Sequence, residues 1–257
     1  MTSPLLSAQG VSKNFGGMNV LRDAWIKVEP QSIVGLIGPN GAGKSTFFSV
    51  LSGFLAPNTG EIRLGDAPLQ NTAPNLIAQQ GLVRTFQTPR EFAQLTALEN
   101  MLVARPHQLG DGVFASLFRP GAVRRQELAN RERAESLLEF LGLSAVKHTP
   151  AGALSGGQKK LLELGRALML DPKIVLLDEP FAGVNPSLIN TIIDRIFALR
   201  GDGLTFLIVE HNMKAISTLS DVLFVMVEGS ILTSGQPEVV TRDPQVLTAY
   251  LGGHPTT

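Results

Sequence analysis

The stretch "SIVGLIGPNGAGKST", Ser32 to Thr46, decides how this chain is organised. Ser32 to Ile37 is almost continuously apolar, which predicts a strand covered on both faces, because a half-exposed strand would alternate. Gly38 to Ser45 then fits the pattern G-x-x-x-x-G-K-[ST] in full. Glycines there let successive backbone N–H groups turn onto a phosphate, and a helix starting at the lysine adds the positive end of its dipole. "KSTFFSVLSGF" has helical spacing and a stop at Gly53, so the unit is strand, loop, helix. Gly38, Asn40, Gly41, Gly43 and Thr46 are the expected nucleotide cradle, Lys44 the partner of the β and γ phosphates, and Ser45 a hydroxyl ligand for Mg²⁺.

Two further apolar runs, "KIVLL" (Lys173 to Leu177) and "TFLIV" (Thr205 to Val209), predict more strands of a parallel sheet. The first ends in Asp178 and Glu179, at the edge where an open α/β sheet binds its ligands. Asp178 there can hold a metal through its water shell, and Glu179 can polarise the attacking water. Phosphoryl transfer leaves the protein chiefly positioning and charge neutralisation to do. His211 follows the second run, in "TFLIVEHN", and is expected to contact the γ-phosphate.

A second glycine-rich helix start lies in "LSGGQKKLLELGRAL", from Leu154. Ser155 is a good N-cap, and Gly156 and Gly157 expose first-turn N–H groups to an approaching anion. Lys44 and Ser155 are 111 positions apart, and a nucleotide in the first loop already has its phosphates cradled. The reading left is a nucleotide held by another subunit, against a plain helix cap with no ligand.

Composition limits the rest. The 257 residues carry 22 Lys plus Arg against 22 Asp plus Glu, so no broad basic surface for nucleic acid is expected and any anion site is local. There is no Cys, which excludes disulfides and thiolate metal sites. The opening residues lack a signal-peptide pattern, and no apolar run approaches the ~20 residues that span a bilayer, so a soluble chain is expected. Between Pro89 and Leu164 strand signals vanish. "PGAVRRQELANRERAESLLEFLGL" predicts a long charged helix whose apolar stripe is Leu128, Leu137, Leu138 and Leu141. Phe114, Leu117 and Phe118 precede it and read either as cover for that helix or as a partner contact. "NPSLINTIIDRIFALRGDG" predicts a helix capped by Asn185, and "GEIRLGD" a strand of a small antiparallel sheet.

The ordered set Gly38 to Ser45, Gln87 in "VRTFQTP", "LSGGQ", "VLLDEP" and His211 resembles the ATP-binding subunits of ABC transporters over nearly the whole chain. The resemblance implies an α/β fold: a P-loop NTPase (RecA-like) core over 1–88 and 165–235 with a small antiparallel β part. It further implies an inserted α-helical subdomain over 89–164 bearing the signature motif, and a C-terminal tail over 236–257. It implies head-to-tail dimers of two ATPase subunits, alike or paralogous, with each ATP between one loop and the partner's Ser155, Gly156, Gly157 and Gln158. Glu179, His211, Lys44 and Gln87 are then catalytic, and Ser45, Gln87 and Asp178 hold Mg²⁺. Phe15 matches the aromatic that stacks on adenine, and Asn185 stands where Asp is frequent.

Longer stretches, among them "GLVRTFQTPREFAQLTALENMLVA" and the terminal "AYLGG", are similar to the ATPases of branched-chain amino acid importers. Such an ATPase works at the cytoplasmic face of the inner membrane, on multi-span permease subunits and, indirectly, an external solute-binding protein. Two features differ: many members have a bulkier residue in place of Gly156, and "EPFAGVNP" is also close to the ATPase of lipopolysaccharide export. That export ATPase and a soluble ABC ATPase of DNA repair or translation are the alternatives.

Overall fold

A computed structural model describes residues 3–85, 91–106, 108 and 120–250. The chain divides into two compact units, Met1–Gln87 with Lys173–Ala182 and Ile196–Thr257, and Thr88–Pro172 with Gly183–Arg195. The second unit thus runs past residue 164 and takes in a further segment after the "DEP" strand.

The first unit holds two sheets. Strands β1 (Leu6–Phe15), β2 (Met18–Val28), β4 (Thr59–Leu64) and β5 (Ala67–Pro68) form an antiparallel sheet in the order β2-β1-β4-β5, with Ala8 opposite Ile26 and Ile62. Along β2 the buried residues Leu21, Ala24, Ile26 and Val28 mostly alternate with exposed ones, as a sheet with one solvated face requires. The second sheet has the order β10-β9-β3-β8-β7-β6, built from β3 (Ile33–Ile37), β6 (Leu82–Arg84), β7 (Ile174–Asp178), β8 (Thr205–Val209), β9 (Val222–Val227) and β10 (Ser230–Gly235). All neighbours are parallel except β9 and β10, which form a hairpin.

Every residue of β3, β7 and β8 is buried, which is why their sequences do not alternate. The helix Met213–Leu219 and strand β9 come so close to β3 that a Cβ on Gly35 would meet Ile216 Cγ1 of the helix at 2.8 Å and Leu223 Cδ2 of β9 at 2.4 Å. The three anticipated parallel strands are present, with β7 running one residue further, to Asp178. The three-residue β6 was not anticipated; it is too short to show a period. Fully buried Phe47 and Phe48, on helix α1 (Lys44–Leu51), join residues of both sheets in one core. Each stabilises the fold by about 1.5–3 kcal/mol relative to exposure. The tail carries two short helices, Pro237–Val240 and Pro244–Tyr250.

The second unit is helical. Helices Ala97–Ala104, Pro120–Phe140 and Gly156–Leu168 pack on one another. A Cβ on Gly165 would meet Leu141 Cδ1 and Met101 Sδ at 2.8 Å, so these side chains pack into the space that the glycine leaves. Leu137, Leu138 and Leu141 are buried as expected, with Ala134 beside them, but Leu128 is 53% exposed. At about 100° per residue Leu128 lies about 135° from the centre of that face, and Asn130 takes the inward position instead. Phe114, Leu117 and Phe118 lie outside the described residues.

Candidate functional site

The loop between β3 and α1 is shaped by what it packs against. A Cβ on Gly38 would lie 2.1 Å from the Met226 carbonyl oxygen, so only glycine fits. Gly43, the N-cap of α1, has φ of 102°, a left-handed conformation that glycine adopts without steric cost, and it brings no side-chain acceptor. The loop is tied to the β9–β10 hairpin, where the Gly229 N–H donates to the Ala42 carbonyl at 2.9 Å. Asn40, Gly41, Ala42, Gly43, Lys44, Ser45 and Thr46 line a cavity of about 290 Å³, together with Val20, Glu179 and His211. Four separate stretches of sequence thus meet at one place within the first unit.

The Lys44 ammonium donates to the carbonyl oxygens of Gly38 (2.7 Å) and Pro39 (2.9 Å). Burial lowers its pKa from the ordinary 10.5, and the carboxylates of Glu179 and Asp178 oppose that shift. Asp178 ends β7 in a buried position, and its Oδ2 accepts from Arg84 Nη2 at 2.7 Å. Arg84, the last residue of β6, also donates to Ser49 Oγ on α1 at 3.0 Å. Sequence reasoning missed Arg84, although a charge closing a short apolar run demands a partner.

Glu179 has φ of 51°, unusual for a non-glycine residue, and its N–H donates to the Val209 carbonyl at 2.9 Å. Its Oε1 lies 2.8 Å from His211 Nε2, so the two side chains read separately from sequence form one pair. Glu210, also missed, is 3% exposed; its Oε1 accepts from the Phe181 N–H (2.8 Å) and its Oε2 from those of His211 (2.8 Å) and Asn212 (3.1 Å). The signal was present in "TFLIVEHN", a carboxylate directly after a strand with no exposed face. Phe15 is exposed at the end of β1, with the Lys13 ammonium 5.3 Å from its ring centre. Tyr250 is held by its surroundings as well: burial raises its pKa, while a hydrogen bond with the Gly38 backbone opposes the rise.

In the second unit the anticipated cap is present and more complete than expected. Ser155 Oγ accepts from the Gln158 N–H at 3.3 Å while Gln158 Oε1 accepts from the Ser155 N–H at 2.9 Å, a reciprocal capping box. Gly156 is open, whereas Gly157 is buried, and a Cβ there would lie 1.8 Å from Leu188 Cδ2. Asn185 Oδ1 accepts from the Leu188 N–H at 2.9 Å and caps the helix Pro186–Gly201. Gln87 lies outside the described residues.

Comparison with known proteins places these features in context. Residues 21–182 match the family described as ABC transporter. The chain is 40% identical over 253 residues to the high-affinity branched-chain amino acid transport ATP-binding protein BraF of Pseudomonas aeruginosa, covering 98% of this chain and 99% of that one. Among solved structures, a nucleotide-free ATP-binding cassette from an ABC transporter superposes with a TM-score of 0.84 at 37% identity, covering 96% of this chain and 98% of the other. The ADP conformation of MJ1267, an ATP-binding cassette of an ABC transporter, gives a TM-score of 0.83 at 36% identity, with 98% and 100% covered.

Proposed function

The chain belongs to the ABC transporter family as an ATP-binding subunit, and we propose that it powers an importer of branched-chain amino acids or closely related solutes. It is an ATPase. The observation that carries the site is the meeting of the Gly38–Thr46 loop with Glu179 and His211 around one cavity. The solute class rests on the likeness to BraF along almost the full length of both chains.

In the proposed mechanism the loop amides bind the β and γ phosphates, and the Lys44 ammonium transfers to them from the carbonyls of Gly38 and Pro39. Glu179 orients and polarises the attacking water. His211, paired with Glu179 at 2.8 Å, fixes that carboxylate and faces the terminal phosphate. Phe15 offers its exposed ring to adenine. The exposed Ser45 hydroxyl in the cavity wall and the Asp178 carboxylate at the end of β7 are hard oxygen donors that suit Mg²⁺, with Arg84 fixing one Asp178 oxygen. Mg²⁺ bound there would neutralise charge on the β and γ phosphates. The resemblance to ABC transporter ATPases gives Gln87 a part in the same chemistry. Ser155 to Gln158 of a second ATPase subunit complete the cage, so ATP draws two subunits together and hydrolysis lets them part.

No helix among the described residues is long and apolar enough to cross a membrane. In the proposed reading, coupling to transport passes through multi-span permease subunits at the cytoplasmic face of the inner membrane, supplied by an external solute-binding protein. Glu179→Gln tests the assignment. Nucleotide affinity should stay within about threefold while hydrolysis falls by about 10²–10⁴, the usual contribution of a positioned base. Cells lacking the chain should lose uptake of labelled leucine, isoleucine and valine and regain it with the wild type only. Full hydrolysis by Glu179→Gln would remove Glu179 from its role, and undiminished uptake would remove the solute class.

A further inference from the structure

We propose that Glu210 is a positioning residue for ATP hydrolysis, whose buried carboxylate fastens together the two loops that carry Glu179 and His211; this rests on the roles given to those two residues above. Glu210 follows directly on β8, a strand with every residue buried, and is itself 3% exposed. A carboxylate there is strongly destabilising unless its oxygens are satisfied. They are satisfied by two different loops. Oε1 serves the loop after β7, through the Phe181 N–H at 2.8 Å; Oε2 serves the loop after β8, through the N–H groups of His211 at 2.8 Å and Asn212 at 3.1 Å.

The backbone shows why such a fastening is needed. Glu179 sits at φ of 51°, a conformation unfavourable for an ordinary residue that persists only where the surroundings enforce it. Three bonds enforce it here. The Glu179 N–H donates to the Val209 carbonyl at 2.9 Å, the Ala182 N–H donates to the Glu179 carbonyl at 3.2 Å, and the Phe181 N–H between them is taken by Glu210. From the other side, Glu210 holds the backbone of His211, whose ring reaches back to Glu179 Oε1. With Glu210 3% exposed and both its oxygens engaged by backbone N–H groups, its role is through its neighbours.

Glu210→Gln keeps the size of the side chain but turns one acceptor into an NH₂ donor, which must face a backbone N–H whichever way the amide lies. One loop is then released. We expect kcat for ATP hydrolysis by the full chain to fall by about 10- to 100-fold, the loss that a displacement of about 1 Å can cause. Affinity for ADP should change by less than about threefold, because the Lys44 loop makes none of these bonds. Placed in a Glu179→Gln background, Glu210→Gln should cost less than a further threefold, since the carboxylate it positions, through the Phe181 loop and through His211, has already lost its role. An unchanged kcat, a parallel loss of ADP affinity, or losses that multiply in the double variant would overturn the proposal. If Glu210→Gln does not fold, Glu210→Asp, which keeps the charge but is too short for both loops, replaces it with the same expectations. A wild-type chain without hydrolysis would instead break the ATPase reading, which keeps the two failures apart.

Discussion

Helix α1 and the helix Gly156–Leu168 both begin after glycines, but they are finished in opposite ways. At α1 the N-cap is Gly43, left-handed and without a side-chain acceptor, so the first turn keeps its amides for something from outside the chain. At the other start Ser155 and Gln158 satisfy each other's backbone N–H groups, and that helix is stable without any ligand. The difference separates a site formed to take an anion from a helix end that is complete in itself and offers only Gly156 and Gly157 beyond its cap. It also explains the lysine. Only the first start carries a buried ammonium, held by two carbonyls of its own loop, which in the proposed mechanism it exchanges for phosphate oxygens.

The largest effect should follow from removing that ammonium. Two charge-assisted hydrogen bonds of about 1.5–3 kcal/mol each are at stake, so Lys44→Ala should weaken ATP binding by at least about 100-fold in a calorimetric titration. The pH dependence sharpens the point. Burial lowers the pKa of Lys44, so the folded chain releases this proton at a lower pH than the unfolded chain. Between that pKa and 10.5 the unfolded state holds more protons, and this group's contribution to stability rises with pH. Nucleotide affinity should fall over the same alkaline interval, because the charge that binds phosphate is lost there. Affinity that stays level up to pH 10.5 would contradict the assignment.

A smaller effect is expected at Gly157. Its missing Cβ makes room for Leu188 Cδ2, which would otherwise lie 1.8 Å away, with Val184 Cγ1 at 3.6 Å. Gly157→Ala should therefore cost about 1–3 kcal/mol by overpacking. Leu188→Ala in the same chain should recover part of that loss of melting temperature, since the obstructing atom is the end of a flexible side chain. No recovery would mean that the glycine is needed for its backbone and not for space.

The sequence disclosed these features unequally, and the inequality has a physical source. The loop Gly38 to Ser45, the strand before it and the acids after "KIVLL" were legible because a phosphate loop and a doubly buried strand each impose residue types at fixed spacing. The pairing of Glu179 with His211 was not legible. It joins residues 32 positions apart through the parallel register of β7 and β8, in which Asp178 lies opposite Val209. For Arg84 and Glu210 the sequence carries half the signal: a charge at the end of an apolar run calls for a partner, but the partners, Asp178 for one and the N–H groups of Phe181, His211 and Asn212 for the other, are set by the fold. Leu128 was misplaced for a different reason: a charged helix tolerates an exposed leucine, and its angle from Leu137, Leu138 and Leu141 puts it off their face.

Ser155 gives the smallest expected change and the sharpest use of the comparison between the two helix starts. As a cap, its hydroxyl contributes about 1 kcal/mol, so Ser155→Ala should lower the melting temperature of the nucleotide-free chain by about 2–4 °C, and Ser155→Thr, which also caps, should restore most of it. A cap alone predicts that hydrolysis changes only as far as stability does. Contact with a partner subunit's nucleotide predicts more: at a temperature where both variants are fully folded, Ser155→Ala should hydrolyse ATP about tenfold more slowly or worse, the equivalent of one lost hydrogen bond to a charged group. The nucleotide-free melting curve registers only the cap, whereas hydrolysis registers both, so their divergence isolates the contact. A melting point that drops while hydrolysis holds would leave the second helix start as a well-made cap and nothing else.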